Sequence, residues 1–529
     1  MRRSTLLALT FAALASLPTV AATQTATAPA EVRALWVDGF HPGIRSAAEV
    51  EELIANATKA RFNTLFVQVR RRGDSLYTGG LEPPLDDPNY SPAFDGLAAV
   101  LDAGHRAGLK VHAWINAMPI WRDEAAPKDP RHIFNLHGPG RTGAENWLTR
   151  NLEGLEKFPV GYFLDPGHPA VQDHLVRVYL DVVRRYAVDG IHFDYIRYPE
   201  TDERLPRGSN VGYNEVSVAR FRKASGRTDV PAPDDPAWTA WRRQQVTELV
   251  RRVSIEARAL RPSIQISAAT IAWGEPPKSK QDFDNVSPMQ RIFQNWRDWL
   301  AEGLLDMAAP MNYAREHDPR VRDWFNGWIG WEKRHKSGRH LVVGVGGYLN
   351  TPAAVLAQVT RTREKAGNHR ADGVSFFSYF SPSAPPRAEG APPPPSAPNR
   401  LDFLHNGVDG TPGVFTQPAS VPVQPWIQNP THGFISGKVV DVAGLGLDGA
   451  TVAIRRAGWF RKTVRVTTDG NGWFGITGRK PGRYEVRLPP TQGGSPGKTV
   501  TIEVRAGAVS RLTEPLHFAN TNIGDQTKP

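Results

Sequence analysis

Between Val32 and Phe380, short runs of apolar, β-branched and aromatic residues alternate with longer stretches in which apolar residues return every three or four places. The short runs read as buried strands and the longer stretches as amphipathic helices. The strands are VRALWVD, FNTLFVQVR, KVHAWIN, GIHFDYIRYP, IQISAATIAW, LDMAAPMNY, HLVVGVGGY and GVSFFSYF. Helical patterning covers Ala47 to Ala60, Phe94 to Ala107, Ala170 to Tyr186, Trp241 to Leu260, Met289 to Ala301 and Pro352 to Ala366. Eight strands with helices between them over residues 31–380 predict an α/β fold, the (β/α)8 TIM barrel. A doubly wound sheet is the alternative, but no strand is followed by the glycine-rich phosphate-binding turn it would need.

Two segments break the rhythm. The connection from Ala117 to Pro169 is far longer than a barrel requires, and Trp121, Phe134, His137, Trp147 and Tyr162 make it too aromatic for disorder. It is expected to cross the barrel mouth. Past Phe380 the chain reads SPSAPPRAEGAPPPPSAP, so residues 381–431 are expected to form a proline-rich, semi-rigid linker that keeps two bodies apart. Over residues 433–518 the pattern turns to short strands, ISGKVVD, ATVAIRR, KTVRVTT, GWFGIT, RYEVRLPP and KTVTIEVRAG, with turn residues such as Asp469 to Gly472 between them. That spacing predicts a small antiparallel all-β sandwich.

Composition adds a compartment. Arg2 and Arg3, an apolar run from Leu6 to Leu17 and small residues through Ala22 have the layout of a secretory signal peptide over residues 1–22. Export to the periplasm, cell envelope or extracellular medium is expected, and no later apolar stretch is long enough for a membrane span. Cysteine is absent from all 529 residues, which excludes disulfides and thiolate chemistry. A formal charge of +11 could attract nucleic acid, but export removes that partner from reach. Arg184, Arg185, Arg242, Arg243, Arg251 and Arg252 fall on presumed helix faces and read as solvated surface, with acidic envelope polymers as the alternative attractant.

Barrel enzymes work at the carboxyl ends of their strands. In DGIHFDYIRYP, alternation puts His192 and Asp194 on one face, and Pro199 marks the strand's end, which places Asp194 near the rim and Arg197 beyond the sheet. The other strand ends carry Asp38 with His41, Gln68 with Arg70, Trp114 with Asn116, Glu275, Asn312 with Tyr313, Tyr348, and Tyr379. Such a level of carboxylates, amides and rings suits a sugar, because rings stack on its faces while amides and carboxylates bind its hydroxyls. Taken singly, each has a plainer reading, as an ion-paired aspartate or a core ring. His41, His112, His168 and His192 with Asp38 and Asp194 could instead assemble a metal-dependent hydrolase, although no compact spacing such as HExxH occurs. No G-x-S-x-G elbow supports a serine hydrolase. The expected chemistry needs neither metal nor cofactor.

VRALWVD, FNTLFVQVR with GDSLY, HAWIN, DPGHPAVQDHLVRVYLDVVRRYAVDGIHFDYIRYP and PMNY resemble the glycosyl-hydrolase-like family 10 domain of bacterial envelope proteins, over roughly Glu31 to Phe380. The resemblance implies a (β/α)8 barrel that hydrolyses glycosidic bonds, with peptidoglycan glycan strands among its substrate types. Members of that family often carry a second acidic residue directly after the strand-four aspartate, where this chain has Tyr195. The strand-four pattern is also similar to the alpha-amylase type of barrel. That likeness implies Asp194 as nucleophile and Glu275 as proton donor, with Asp38 and Asp165 as alternative partners, while strand seven, VVGVGGY, offers no third aspartate. Two carboxyls are needed because one must be ionised while the other holds a proton at the same pH. The remaining strand-end groups, with His168, His192 and Arg197, are expected to bind substrate. ISGKVVDVAGLGLDGATVAI and TTDGNGWFGITGRKPGRYEVRL resemble the carboxypeptidase-regulatory-like sandwich, which implies a non-catalytic module that holds the barrel near a surface or glycan, with a spacer as the alternative. The expected function is a secreted glycosidase acting on a cell-envelope or extracellular polysaccharide, and the alternative is a non-catalytic glycan-binding scaffold.

Overall fold

The computed structural model describes residues 29–201, 208–384, 401–458, 462–489 and 499–518, so the expected signal peptide lies outside the described residues. Eight parallel strands close a barrel: β1 (Val32–Val37), β2 (Thr64–Arg70), β3 (Lys110–Asn116), β4 (Gly190–Asp194), β5 (Gln265–Ile271), β6 (Met307–Met311), β7 (His340–Gly346) and β8 (Gly373–Phe377). Neighbours pair in chain order, and β8 closes on β1 with Val32 opposite Gly373 and Leu35 opposite Phe376. The predicted (β/α)8 barrel is the observed fold.

Around the barrel run α1 (Ala47–Lys59), α2 (Gly96–Arg106), α3 (Pro169–Arg185), α4 (Pro236–Leu260), α5 (Trp296–Ala301), α6 (Pro319–His335) and α7 (Pro352–Arg363). Side chains of Ser46, Asp95, Asp235, Asp318 and Thr351 accept the first free N–H groups of α1, α2, α4, α6 and α7. Each such cap is worth about 1 kcal/mol, and it tells the chain where to leave the loop. Among the described residues no helix is long and apolar enough to cross a membrane.

The structure corrects several expectations. The stretch from Met289 to Ala301 is not one helix: Phe293 takes a left-handed backbone with φ of 60°, so only Ser287–Gln290 and Trp296–Ala301 are helical. Helix α6 was not anticipated, although it buries Phe325, Trp328, Ile329 and Trp331 along one stripe. Arg242 is not solvated: it is fully buried and donates to the carbonyls of Ser209 and Val211, each at 2.6 Å, stapling the loop after β4 to α4. The linker does not stand free where it is described. Phe415 is fully buried against Phe62 and Phe376, with ring centroids 5.6 and 5.8 Å away. Nearer the sandwich, Trp426 Nε1 donates to Asp306 at 2.8 Å. Residues 401–428 therefore cross the amino end of the barrel, while the proline-rich residues 385–400 lie outside the described residues.

In the sandwich, Gly433–Val440 pairs antiparallel with Trp473–Arg479 but parallel with Val509–Arg511 and Leu516–His517, so this sheet is mixed where an antiparallel one was expected. The facing sheet, Thr463–Thr467, Thr451–Arg456, Gly482–Arg487 and Val500–Val504, is antiparallel. Ile435, Val452, Ile454, Phe474 and Val486 fill the space between them. The sandwich lies directly on α3 and α4. Trp473 Nε1 donates to Glu256 at 2.9 Å, Asn471 Nδ2 to the Pro169 carbonyl at 2.9 Å, and Arg252 bridges Asp173 at 2.9 Å and Asp469 at 3.3 Å. Arg220, in the helix Glu215–Ser225, holds Asp448 by a two-pronged pair at 2.7 and 2.8 Å. Forked charge-assisted bonds of this kind set an orientation as well as a contact.

Candidate active site

Along β4, Ile191 and Phe193 point outward into the layer between barrel and helices, which leaves His192 and Asp194 facing inward. His192 forms the lower level. Its Nε2 accepts from Trp36 Nε1 at 3.1 Å, its Nδ1 meets Ser267 Oγ at 2.9 Å, and its ring stacks on Phe66 at 4.1 Å. Asp194 stands one inward position higher, at the strand's end. It accepts from the Tyr195 N–H at 2.6 Å and from Trp114 Nε1 at 3.1 Å. Tyr195 has φ of 48°, so the chain leaves the strand through a left-handed residue at once after the aspartate, a conformation costing about 1 kcal/mol for a side chain of this kind. Burial pushes the Asp194 carboxyl up to about 6, opposed by the Tyr195 N–H, the charge of Arg197 and the Trp114 bond. As a whole residue Asp194 is 6% exposed, against 0% for His192 one level below.

Rings surround this carboxyl. Phe377, at the end of β8, lies 5.6 Å from Tyr313, 5.9 Å from Tyr348, 6.3 Å from Trp36 and 6.4 Å from Trp114. Tyr348 is 41% exposed, so part of this cup faces solvent. Beside Tyr313 a cleft of about 190 Å³ opens between the ends of β5 and β6 and helix α6, walled by Trp273, Asn312, Trp324 and Trp328. Tyr313 Oη and Asn312 Oδ1 are buried there without partners. Asn312 Nδ2 donates to both oxygens of Glu332, at 3.0 and 3.2 Å, and Glu332, fully buried on α6, is pushed up to about 8 by that burial.

Of the residues expected at the site, Asp38, Trp114, Asn116, Asp194, Asn312, Tyr313 and Tyr348 stand at the carboxyl ends of the strands. Asp38 Oδ1 meets His41 Nδ1 at 2.7 Å and accepts from the Phe40 N–H at 3.0 Å. Gln68 positions that turn, since its Oε1 accepts from the Gly39 N–H at 2.8 Å. Asn116 Oδ1 shares the Trp114 indole N–H at 2.9 Å. Arg197 lies over Tyr195 and Trp273, at 4.6 and 5.1 Å from their centroids. Glu275 is exposed on the loop after β5 and pairs with Lys278 at 3.4 Å.

Others go elsewhere. Arg70 is locked by Glu82 at 2.5 and 2.7 Å and by the Asn116 and Ala117 carbonyls, so it clamps β2 to β3 and has little capacity left for a ligand. Asp165 is sealed, with Oδ1 held by Gly167 N and Ser217 Oγ, both at 2.8 Å. His168 caps α3 through Nδ1 and donates from Nε2 to the Ala144 carbonyl at 3.1 Å. Tyr379 turns outward, where Asn56 on α1 donates to its hydroxyl at 3.2 Å. His192 has both nitrogens committed below the mouth. The four histidines of the metal reading are thus dispersed, with His112 sharing Ser267 in the core at 2.8 Å, and among the described residues no group of three His, Asp or Glu could hold a metal ion.

The sequence reading missed Phe377, Trp36, Trp273 and Glu332. For Trp36 and Phe377 the signal was strand parity: Trp36 shares the inward face of Asp38, and Phe377 shares that of Ser375. For Glu332 there was no signal, because its helix was not foreseen.

With a buried carboxyl in its aromatic-lined mouth, this barrel is placed among the glycan-acting, hydrolase-like barrels by its family match. Residues 31–322 match the family model described as Glycosyl hydrolase-like 10, and the chain belongs to that family. Residues 434–517 match the Carboxypeptidase regulatory-like domain. The chain is similar to Glycosyl hydrolase DigH of Escherichia coli K12, 27% identical over 275 residues that cover 50% of this chain and 58% of that protein. It therefore spans little more than half the length of that relative. It is also similar to Glycosyl hydrolase YngK of Bacillus subtilis 168, 22% identical over 436 residues, 75% of this chain and 74% of that one. Among solved structures it is similar to the PgaB (BpsB) glycoside hydrolase domain from Bordetella bronchiseptica, at a TM-score of 0.46 and 14% identity, covering 66% of this chain and 94% of that one.

Proposed function

We propose that the protein is an exported glycoside hydrolase acting on a cell-envelope or extracellular polysaccharide, with peptidoglycan glycan strands as the first substrate to try. The observation that carries this reading is Asp194, a carboxyl raised to about 6 by burial at a strand end beside the rings of the barrel mouth. A carboxyl that holds its proton to such a pH suits donation to a leaving glycosidic oxygen, which reverses the nucleophile role implied by the amylase likeness. We pair it with Asp38. Trp36 and His192 touch across the barrel, Asp194 is the next inward position above His192 on β4, and Asp38 follows directly on the end of β1, two residues beyond Trp36. Glu275, exposed and paired with Lys278, is the weaker partner. In this reading the sandwich holds the barrel near an envelope surface.

The scaffold reading has one observation in its favour: the groups that act on Asp194 are Tyr195, Arg197 and Trp114, with no second carboxyl among them. One assay separates the two. Wild type and Asp194→Asn are incubated with stem-peptide-free peptidoglycan glycans and a panel of polysaccharides. Turnover that disappears in the variant supports the hydrolase, and binding without turnover in both supports the scaffold.

A further inference from the structure

On the flank of the barrel the sandwich and the helices α3 and α4 enclose a cleft of about 400 Å³ that shares no lining residue with the mouth. Its walls carry Arg177, Arg184, Arg252, Lys438 and Arg511 against only Asp173 and Glu256. Three of these cations are spoken for. Arg252 bridges Asp173 and Asp469, Arg177 approaches Asp173 at 3.4 Å, and Arg511 pairs with Glu256. Arg184, on α3, and Lys438, on the central sandwich strand, are exposed, and among the described residues neither side chain meets an acceptor. Two unmatched cations on facing walls leave a positive field in the cleft that an anion would neutralise.

A second observation points the same way. Ser436 lines the cleft and is fully buried, yet its Oγ has no partner. A buried hydroxyl left unpaired is unfavourable, and a bound group with oxygens would satisfy it. The cleft is also long: from Asp173 to Arg184 it follows three turns of α3, about 16 Å at the helical rise, with Val176, Leu180 and Leu512 as an apolar floor. That is the shape for a strand with spaced charges rather than for a single ion.

We propose that this cleft is an accessory site for a carboxylate-bearing polysaccharide strand, gripped at separate points by Arg184 and Lys438, with Ser436 bonding a sugar oxygen between them. The choice of a glycan rests on the reading of the barrel as glycan-acting, whereas the positive cleft does not. Binding of oligogalacturonate, a neutral cello-oligosaccharide of the same length, and inorganic polyphosphate to the full chain is measured by calorimetry at low salt. The uronate should bind, weaken as salt rises, and lose about tenfold in affinity in the double variant Arg184→Ser with Lys438→Ser, both exposed positions that hold nothing in the fold. The neutral sugar should bind no better to wild type than to the variant, and thermal unfolding should not move. Equal uronate affinity in the double variant would overturn the proposal, as would tighter binding of polyphosphate than of uronate. Because Asp194→Asn leaves the cleft intact, uronate binding in that variant is independent of whether the barrel turns over any glycan.

Discussion

Burial pushes two aspartates of the barrel domain up to about 6, Asp194 at the end of β4 and Asp165 within the excursion that follows β3, yet they are housed in opposite ways. Asp165 is closed off completely. Ser217, Gly167 and, at 3.4 Å, Tyr198 use one oxygen, and the other faces no partner and no opening. Asp194 instead has a hydrogen bond to each oxygen, from the Tyr195 N–H and Trp114 Nε1, and stands at a strand end beside the rings of the mouth. A raised carboxyl therefore reports loss of water, and only access to a cavity turns it into a candidate acid.

The largest expected effect breaks that comparison on the open side. Asp194→Asn should lower turnover of a cleaved glycan about 10³-fold with little change in thermal unfolding, and a variant that still turns over would remove Asp194 from the chemistry. In wild type the rate should fall as pH rises through about 6, where Asp194 loses the proton it donates.

Next comes the choice of its partner. Asp38→Asn should cost about 10²-fold in kcat, while Glu275→Gln, at an exposed ion pair, should stay within about threefold. The reverse order would restore the exposed glutamate as donor.

On the sealed side, Asp165→Asn should leave turnover intact and change the pH profile of stability. A carboxyl raised in the folded state stabilises below its unfolded value near 4, and that contribution is lost as pH rises through about 6. The loss amounts to about 2–3 kcal/mol for a group without exposure, and urea unfolding of wild type at pH 4 and pH 7 should show it while the variant does not.

The smallest effect on turnover belongs to Glu332→Gln, which acts on stability instead. With the folded carboxyl pushed up to about 8 from its ordinary 4.5, the stability it contributes below that ordinary value is lost as pH rises through about 8, and the amide, which takes up no proton, does not show the loss. Thermal melts across pH 4 to 9 should show wild type losing stability relative to the variant over that window and no further above it.

Much of this was legible along the chain because strand parity is local. VRALWVD and GIHFDYIRYP carry their inward faces in their own alternation, so the barrel and the position of Asp194 follow from neighbours two residues apart. Parity also misled where a strand had already ended: Tyr379 lies past β8 and turns to Asn56, while Phe377, two residues earlier, holds the mouth. Arg70 and His168 look like ligand groups in one dimension, but Glu82 and the start of α3 claim them through contacts that the chain's order does not announce.

The sequence by itself determined the eight strands, the β-rich tail and the inward face of Asp194, since hydrophobic periodicity acts over a few residues and needs no partner to be read. Which polar groups are used up, and that the sandwich lies against α3 and α4 rather than at the end of a spacer, were decided only by the tertiary structure. Those outcomes depend on desolvation and on hydrogen bonds between residues far apart in the chain, and both exist only once the chain has closed on itself.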